Sequence, residues 1–149
     1  MTQLNFAGSK ILVVGGAGFV GSNLVHQLLE KDFKELIIVD NLISSDVSNI
    51  PDDKRVKFVY GSITNEKILQ NFPDDLDFVF HLACYHGNQS SIADPIADHD
   101  NNTLTSLKLF ERLKEIKSIK KVVYAAAACA VAEKTYDAPS ATTEEQQIG

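Results

Sequence analysis

The stretch that most constrains this chain is 10–21, where the apolar, β-branched run Ile11-Leu12-Val13-Val14 breaks at once into glycines. Such a run fits a central strand of a parallel sheet, covered on both faces. Gly16-Ala17-Gly18-Phe19-Val20-Gly21 has the spacing G-x-G-x-x-G, and Gly15, Gly18 and Gly21 also fit G-x-x-G-x-x-G. Behind them, Ser22 to Lys31 reads as an amphipathic helix with Val20, Leu24, Val25, Leu28 and Leu29 along one face. Strand, glycine turn and helix in this order are what a dinucleotide site needs. One glycine makes the tight turn, one lets the backbone approach a pyrophosphate, and one lets helix pack on strand. The helix N-terminus then offers N–H donors and a positive dipole end.

Leu36-Ile37-Ile38-Val39-Asp40 reads as a second buried strand that ends in a carboxylate. Asp40 lies about 20 residues past the glycine turn, the spacing at which an acidic side chain meets an adenosine ribose. A carboxylate there accepts hydrogen bonds from the 2′- and 3′-hydroxyls and repels a 2′-phosphate. The next basic residue is Lys54, so no nearby cation welcomes that phosphate. The pattern therefore predicts NAD rather than NADP.

Residues 41–55 are polar and turn-rich and read as a surface connection. Val56 to Tyr60 is the expected third strand, closed by Gly61, with Ser62 and Ile63 at its carboxyl end, where adenine is often received. Thr64 to Phe72 reads as helical and Pro73-Asp74-Asp75 breaks it. Asp77 to Leu82 is the fourth strand, and Ala83 to Asn102 the longest polar connection. In a doubly wound sheet the ligand crevice lies beyond the carboxyl ends of the strands, where their order reverses. That connection should therefore face the glycine turn. Leu104 to Ile116 is expected as a helix with Leu104, Leu107, Phe110, Leu113 and Ile116 as its apolar stripe, and Lys121 to Tyr124 opens the fifth strand. Alternating strands and helices make the expected class α/β, a Rossmann-type doubly wound parallel sheet of order 3-2-1-4-5, truncated before a sixth strand. Residues 1–132 would be the nucleotide-binding domain, and 133–149 a polar tail or the start of a further segment.

At 149 residues one domain is expected, and a net charge of −6 argues against a nucleic-acid surface, whose affinity comes largely from Lys and Arg. No basic segment followed by an apolar core opens the chain, and no apolar run approaches membrane-spanning length. Cys84 and Cys129 are too few for a disulfide framework, and with His86 they match no common zinc spacing; they read as small, buried and reduced. The composition reads as cytoplasmic. His81, ending a strand, reads as a core histidine.

With these residues placed, the chain resembles the extended short-chain dehydrogenase/reductase family, especially its NAD-dependent nucleotide-sugar epimerases and dehydratases. The matching stretches are Gly-Gly-Ala-Gly-Phe-Val-Gly-Ser-Asn-Leu at 15–24, Val-Asp-Asn-Leu at 39–42, Asp-Phe-Val-Phe-His-Leu-Ala at 77–83, Asp-Asn-Asn at 100–102 and Lys-Val-Val-Tyr at 121–124. The resemblance implies that Gly15, Gly18 and Gly21, with the N–H groups of Phe19 and Val20, hold the pyrophosphate. Asp40 takes the ribose, with Asn41 and Leu42 beside adenine. Leu82, Ala83 and Cys84 line the nicotinamide side, and Asn101 helps fix the cofactor. His86, Asn88 and Ser91 fall where such enzymes place substrate contacts. In the family the helix matching Leu104–Ile116 also helps form a homodimer, and the partner is a nucleotide-sugar.

Three departures stand out. Where the family usually has an acid that bonds adenine's amino group, this chain has Ser62, a weaker acceptor. Where it usually has a catalytic Ser or Thr, this chain has Ala127, inside the run Ala125–Ala128. The Tyr-x-x-x-Lys pair that moves the proton is absent, since Tyr60, Tyr85, Tyr124 and Tyr136 all lack a lysine four places on. A tyrosine with its ordinary pKa near 10 is a poor base at neutral pH, and the neighbouring lysine lowers that pKa. The resemblance thus implies the NAD-binding part of an epimerase or dehydratase that works by transient hydride transfer, inert alone as these 149 residues. The alternatives are a non-catalytic NAD-binding sensor or scaffold and a net dehydrogenase or reductase of the same superfamily.

Overall fold

A computed structural model describes residues 5–85 and 87–126. The glycine-turn strand, β1 (Lys10–Val14), runs straight into helix α1 (Phe19–Leu29), and β2 (Glu35–Asp40) follows. A short 3₁₀ turn at Val47–Asn49 leads to β3 (Val56–Tyr60), then α2 (Glu66–Gln70) and β4 (Phe78–His81). Two short helices, α3 (Asn88–Ala93) and α4 (Pro95–His99), continue through a π-helical turn at Asp100–Leu104 into α5 (Thr105–Leu113), and β5 (Lys121–Tyr124) closes the sheet. The strands pair in parallel in the order β3-β2-β1-β4-β5, as the alternation of elements predicts.

The two-residue period of a strand divides β1 between two cores. Ile11 and Val13 join Leu36, Ile38 and Phe78 under Val25, Leu28 and Phe33 on the α1 side. Leu12 and Val14 join Ile37, Val39 and Val79 beneath Leu69, Leu109, Leu113 and Ile116 on the opposite side. Helices thus cover both faces, which is why β1 can be apolar at every position from Ile11 to Val14. Two arginines tie the layers: Arg55 reaches the carbonyls of Leu29 and Lys31 at the end of α1, and Arg112 those of Leu69 and Phe72 at the end of α2. Each supplies donors to carbonyls at a helix end, where the intrahelical ladder runs out; the Leu69 carbonyl also accepts the Phe72 N–H at 3.2 Å.

The register levels the carboxyl ends of the strands. Val14 stands opposite both Val39 and His81, and Asp40 opposite Tyr60. The residues just beyond them therefore form one rim, and the order reverses there between β1 and β4.

Several expectations need correction. The first helix begins at Phe19 rather than Ser22, and Val20 is exposed rather than on its buried face, because it sits in the first turn at the open rim. The helix expected over 64–72 is the single short α2, which starts behind Asn65, whose side chain accepts the Lys67 N–H. The expected connection over 83–102 holds α3 and α4, with the Asp94 carboxylate capping the Ala97 N–H and Pro95 in the first turn. The expected stripe on α5 is only half right. Leu113 and Ile116 are buried, but the helix presents Thr105, Ser106 and Leu109 inward, leaving Leu107 and Phe110 exposed. Residues spaced by three retreat about 60° per step around an α-helix, so five of them sweep most of its circumference and cannot share one face. Cys84 is exposed and free rather than buried, since it lies past the end of β4. Ala127, Ala128, Cys129, Tyr136 and the 133–149 segment lie outside the described residues.

Candidate functional site

The glycine turn is built from three glycines with three different reasons to lack a side chain. Gly15 has φ +83°, a left-handed conformation, and a Cβ there would come within 2.5 Å of the Ala83 backbone nitrogen. At Gly21 a Cβ would stand 2.0 Å from the Gly15 carbonyl oxygen, so α1 could not lie this close to the turn with any larger residue. Gly18 differs. Its backbone (φ −70°, ψ 174°) suits any residue, and a Cβ would meet only the Gly15 oxygen, at an ordinary 3.4 Å. Nothing in the protein's own packing requires a glycine there, yet this residue opens α1. No side chain caps that helix and its first turn carries no acid, so its leading N–H groups face the rim without a side-chain acceptor.

Asp40 lies across the turn. One carboxylate oxygen accepts the Ala17 N–H at 3.0 Å; the other accepts the Leu42 N–H and the Ser45 hydroxyl, both at 2.9 Å. Asn49 holds the other side of the same peptide segment by donating to the Ala17 carbonyl at 2.9 Å. The carboxylate is therefore fixed at the mouth of the turn before any ligand arrives. Leu42 takes φ +57°, the only positive φ at a non-glycine among the described residues, and that conformation turns its N–H onto Asp40.

Between these parts and the β4 loop lies a cleft of about 640 Å³, a size that suits a cofactor. Of the residues named from sequence, Gly15, Gly18, Phe19, Val20, Gly21, Asp40, Asn41, Ser62, Ile63, Leu82, Ala83, Cys84 and Asn101 all line it. Leu42 does not; its part is the N–H to Asp40. Ser91 does not either: its hydroxyl donates toward the Gly87 carbonyl and Asp98, and its neighbour Ser90 reaches the cleft instead. α3 begins at Asn88, whose side chain, like all of His86, lies outside the description. Sequence reasoning missed Ile43, Ser44, Ser45, Gly61 and Thr105. Their only sequence signal is that each closely follows a strand end or, for Thr105, the Asn101 turn.

No lysine or arginine lines the cleft among the described residues, so an anion there would rest on backbone N–H groups. No cluster of metal-ligating side chains occurs among those residues. His81 closes the floor, almost wholly buried. Its Nε2 lies 2.9 Å from the Ser106 hydroxyl, which itself donates to the Asn102 carbonyl at 2.6 Å. That direction leaves Nε2 to carry the proton and Nδ1 without a partner among the described residues. Burial pushes the His81 pKa down to about 4, so the ring is neutral at physiological pH.

Comparison with known proteins identifies the family. The NAD dependent epimerase/dehydratase family matches residues 11–148. The UDP-glucose 4-epimerase of Streptococcus mutans is 32% identical over 121 residues, which cover 79% of this chain and 35% of the relative. The dTDP-D-glucose 4,6-dehydratase of Dictyostelium discoideum is 36% identical over 123 residues, 77% of this chain and 28% of the relative. Among solved structures, the Bordetella bronchiseptica enzyme WbmF in complex with NAD⁺ is 53% identical with a TM-score of 0.79, and the match covers 95% of this chain and 41% of that one. The chain thus spans about a third of the length of these curated relatives.

Proposed function

Because the chain belongs to the NAD-dependent epimerase/dehydratase family, we propose that its cleft binds NAD and that the chain is the cofactor-holding part of a nucleotide-sugar epimerase or dehydratase. The observation that carries this reading is Gly18, the glycine of the turn that the protein's own packing does not require, placed at an uncapped helix start opposite a preset carboxylate. A pyrophosphate would be held by the α1 N–H groups and the Gly18 backbone, and the ribose hydroxyls by Asp40. Asp40 already accepts three hydrogen bonds, which fix its orientation and leave limited acceptor capacity for those hydroxyls. The same carboxylate, with no cation beside it in the cleft, disfavours a 2′-phosphate. Bound NAD supplies a reversible hydride acceptor; the chain's own contribution is binding and orientation.

These 149 residues contain no Tyr-x-x-x-Lys pair, and the usual hydroxyl position is Ala127. We therefore expect NAD binding without turnover of a UDP-sugar. Calorimetric titration should show NAD⁺ binding and at least tenfold weaker NADP⁺ binding; no heat with either nucleotide, or equal affinity for both, overturns the reading. Epimerisation of a UDP-sugar by the isolated chain would overturn the claim of inactivity. We also propose that the exposed residues Leu107 and Phe110 of α5 mediate dimer formation. No helix among the described residues is long and apolar enough to cross a membrane.

A further inference from the structure

The end of the cleft beyond Asp40 is set by the sheet order. The glycine turn follows β1, Asp40 ends β2, and residues 61–63 follow β3, on the far side of β2 from β1. A ligand seated on the turn and on Asp40 therefore passes next over the carboxyl end of β3. The two strand ends are tied there, because the Gly61 N–H donates to the Asp40 carbonyl at 2.9 Å. Ser62 and Ile63, the next two residues, line the cleft. Ile63 offers apolar surface to a flat ring, and Ser62 brings the only side-chain hydrogen-bonding group of residues 61–63.

Ser62 is held by the turn that leads into α2. Its carbonyl accepts the Asn65 N–H at 3.0 Å, and its Oγ accepts the Thr64 N–H at 3.2 Å. A serine hydroxyl has one donor and two acceptor lone pairs. Thr64 takes one lone pair, which leaves the O–H and the second lone pair for a ligand. The main-chain N–H groups of Ser62 and Ile63 have no acceptor among the described residues. Asp40 is the one charged side chain that lines the cleft among those residues, and its oxygens already accept from Ala17, Leu42 and Ser45.

This set of groups suits the edge of a purine and does not distinguish what stands at position 6. The free lone pair of Ser62 accepts from a 6-amino group, and a rotation of the hydroxyl lets its O–H donate to a 6-oxo group. The main-chain N–H groups find an acceptor on either ring, at N1 or N7 beside an amino group and at O6 or N7 beside an oxo group. A carboxylate in place of Ser62 could only accept, so a 6-oxo group would meet it oxygen to oxygen. We propose that Ser62 makes the cleft indifferent to the 6-substituent, so that it takes the nicotinamide dinucleotide of a 6-oxo purine, hypoxanthine, as readily as that of adenine. The inference rests on the proposed binding of NAD and extends it to a second base. An acceptor forced against another acceptor costs about tenfold or more in affinity, which sets the contrast between a hydroxyl and a carboxylate.

The test titrates the 149-residue chain and its Ser62→Asp variant with NAD⁺ and with nicotinamide hypoxanthine dinucleotide. Aspartate keeps an acceptor for the Thr64 N–H, so the turn is retained. In wild type the two affinities should agree within about fivefold, whereas Ser62→Asp should bind the hypoxanthine form about tenfold or more weakly than NAD⁺. A wild-type ratio above about fivefold, or a variant ratio below about tenfold, overturns the proposal and leaves the NAD reading in place. A wild-type chain that binds neither dinucleotide overturns the NAD reading and the proposal with it. Each ratio is taken within one protein, so a general loosening of the fold does not produce it. If Ser62→Asp does not fold, Ser62→Ala takes its place. Loss of the hydroxyl should then weaken both dinucleotides by the same factor, about two- to fivefold, and an unequal loss, or none, overturns the proposal.

Discussion

Replacing Gly18 by alanine separates binding from folding more sharply than any other change in the turn. The native backbone at Gly18 lies where alanine is relaxed, and the added Cβ would meet only the Gly15 oxygen at 3.4 Å. Restricting the unfolded chain stabilises by about 0.4–1 kcal/mol, and alanine at a helix N-cap is worse than glycine by a similar amount. The net change in stability is therefore within about 1 kcal/mol, a melting shift of about 3 °C or less. Binding should respond quite differently, because the methyl group occupies the open space before the first turn of α1. Losing one hydrogen bond between a backbone N–H and a phosphate costs about 1.5–3 kcal/mol, or roughly 10–100-fold in affinity. Gly21→Ala is the contrast. Its Cβ would lie 2.0 Å from a backbone oxygen, so the turn and α1 must part by about 1 Å, at an overpacking cost of about 1–3 kcal/mol. Thermal melts and NAD⁺ titrations of both variants make the comparison. A Gly18→Ala protein that melts well below wild type, or that binds NAD⁺ undiminished, refutes the assignment of Gly18 to the ligand.

Other outcomes follow from the same structure. His81 is neutral in the fold, with a pKa near 4 against about 6.5 when unfolded, so the unfolded chain takes up the extra proton between those values. Stability contributed by keeping it neutral is complete above pH 6.5 and falls as pH drops toward 4, by at most about 3 kcal/mol; stability from urea unfolding should fall more steeply with falling pH in wild type than in His81→Gln, most clearly between about pH 6.5 and 5, above the range where the salt-bridged aspartates Asp53, Asp75 and Asp77 add their own slope. Arg112→Ala removes the side-chain donor from the carbonyls of Leu69, which keeps the Phe72 N–H, and of Phe72, and should cost about 1–3 kcal/mol, seen as a melting temperature lower by roughly 3–9 °C; an unchanged melt would assign the Phe72 carbonyl to solvent. Leu107→Glu puts a charge on the exposed face of α5 and should convert a dimer to a monomer in sedimentation while leaving the circular dichroism spectrum intact; a monomeric wild type, or a dimer that ignores the substitution, removes that face from consideration.

The amino-acid sequence alone determined the sheet and the mouth of the cleft, because the signals for both are local. β-branched runs followed by glycines specify β1 and its turn, and the carboxylate that ends β2 lands beside that turn because parallel strands in register level their ends. Even the strand order is legible, since βαβ crossovers have one hand and the chain alternates strictly. The tertiary structure decided what depends on distant partners. Which side of α5 is buried was set by docking on Leu12, Val14 and Val79 together with the shift of the π-helical turn, and spacing along the chain carries neither. Three glycines that look alike in sequence acquired three duties only when Ala83, Gly15 and empty space became their neighbours. Asn102 meets Tyr85 across 17 residues of chain, and its amide fits the Tyr85 backbone because two helices hold it there, a geometry that no local pattern encodes.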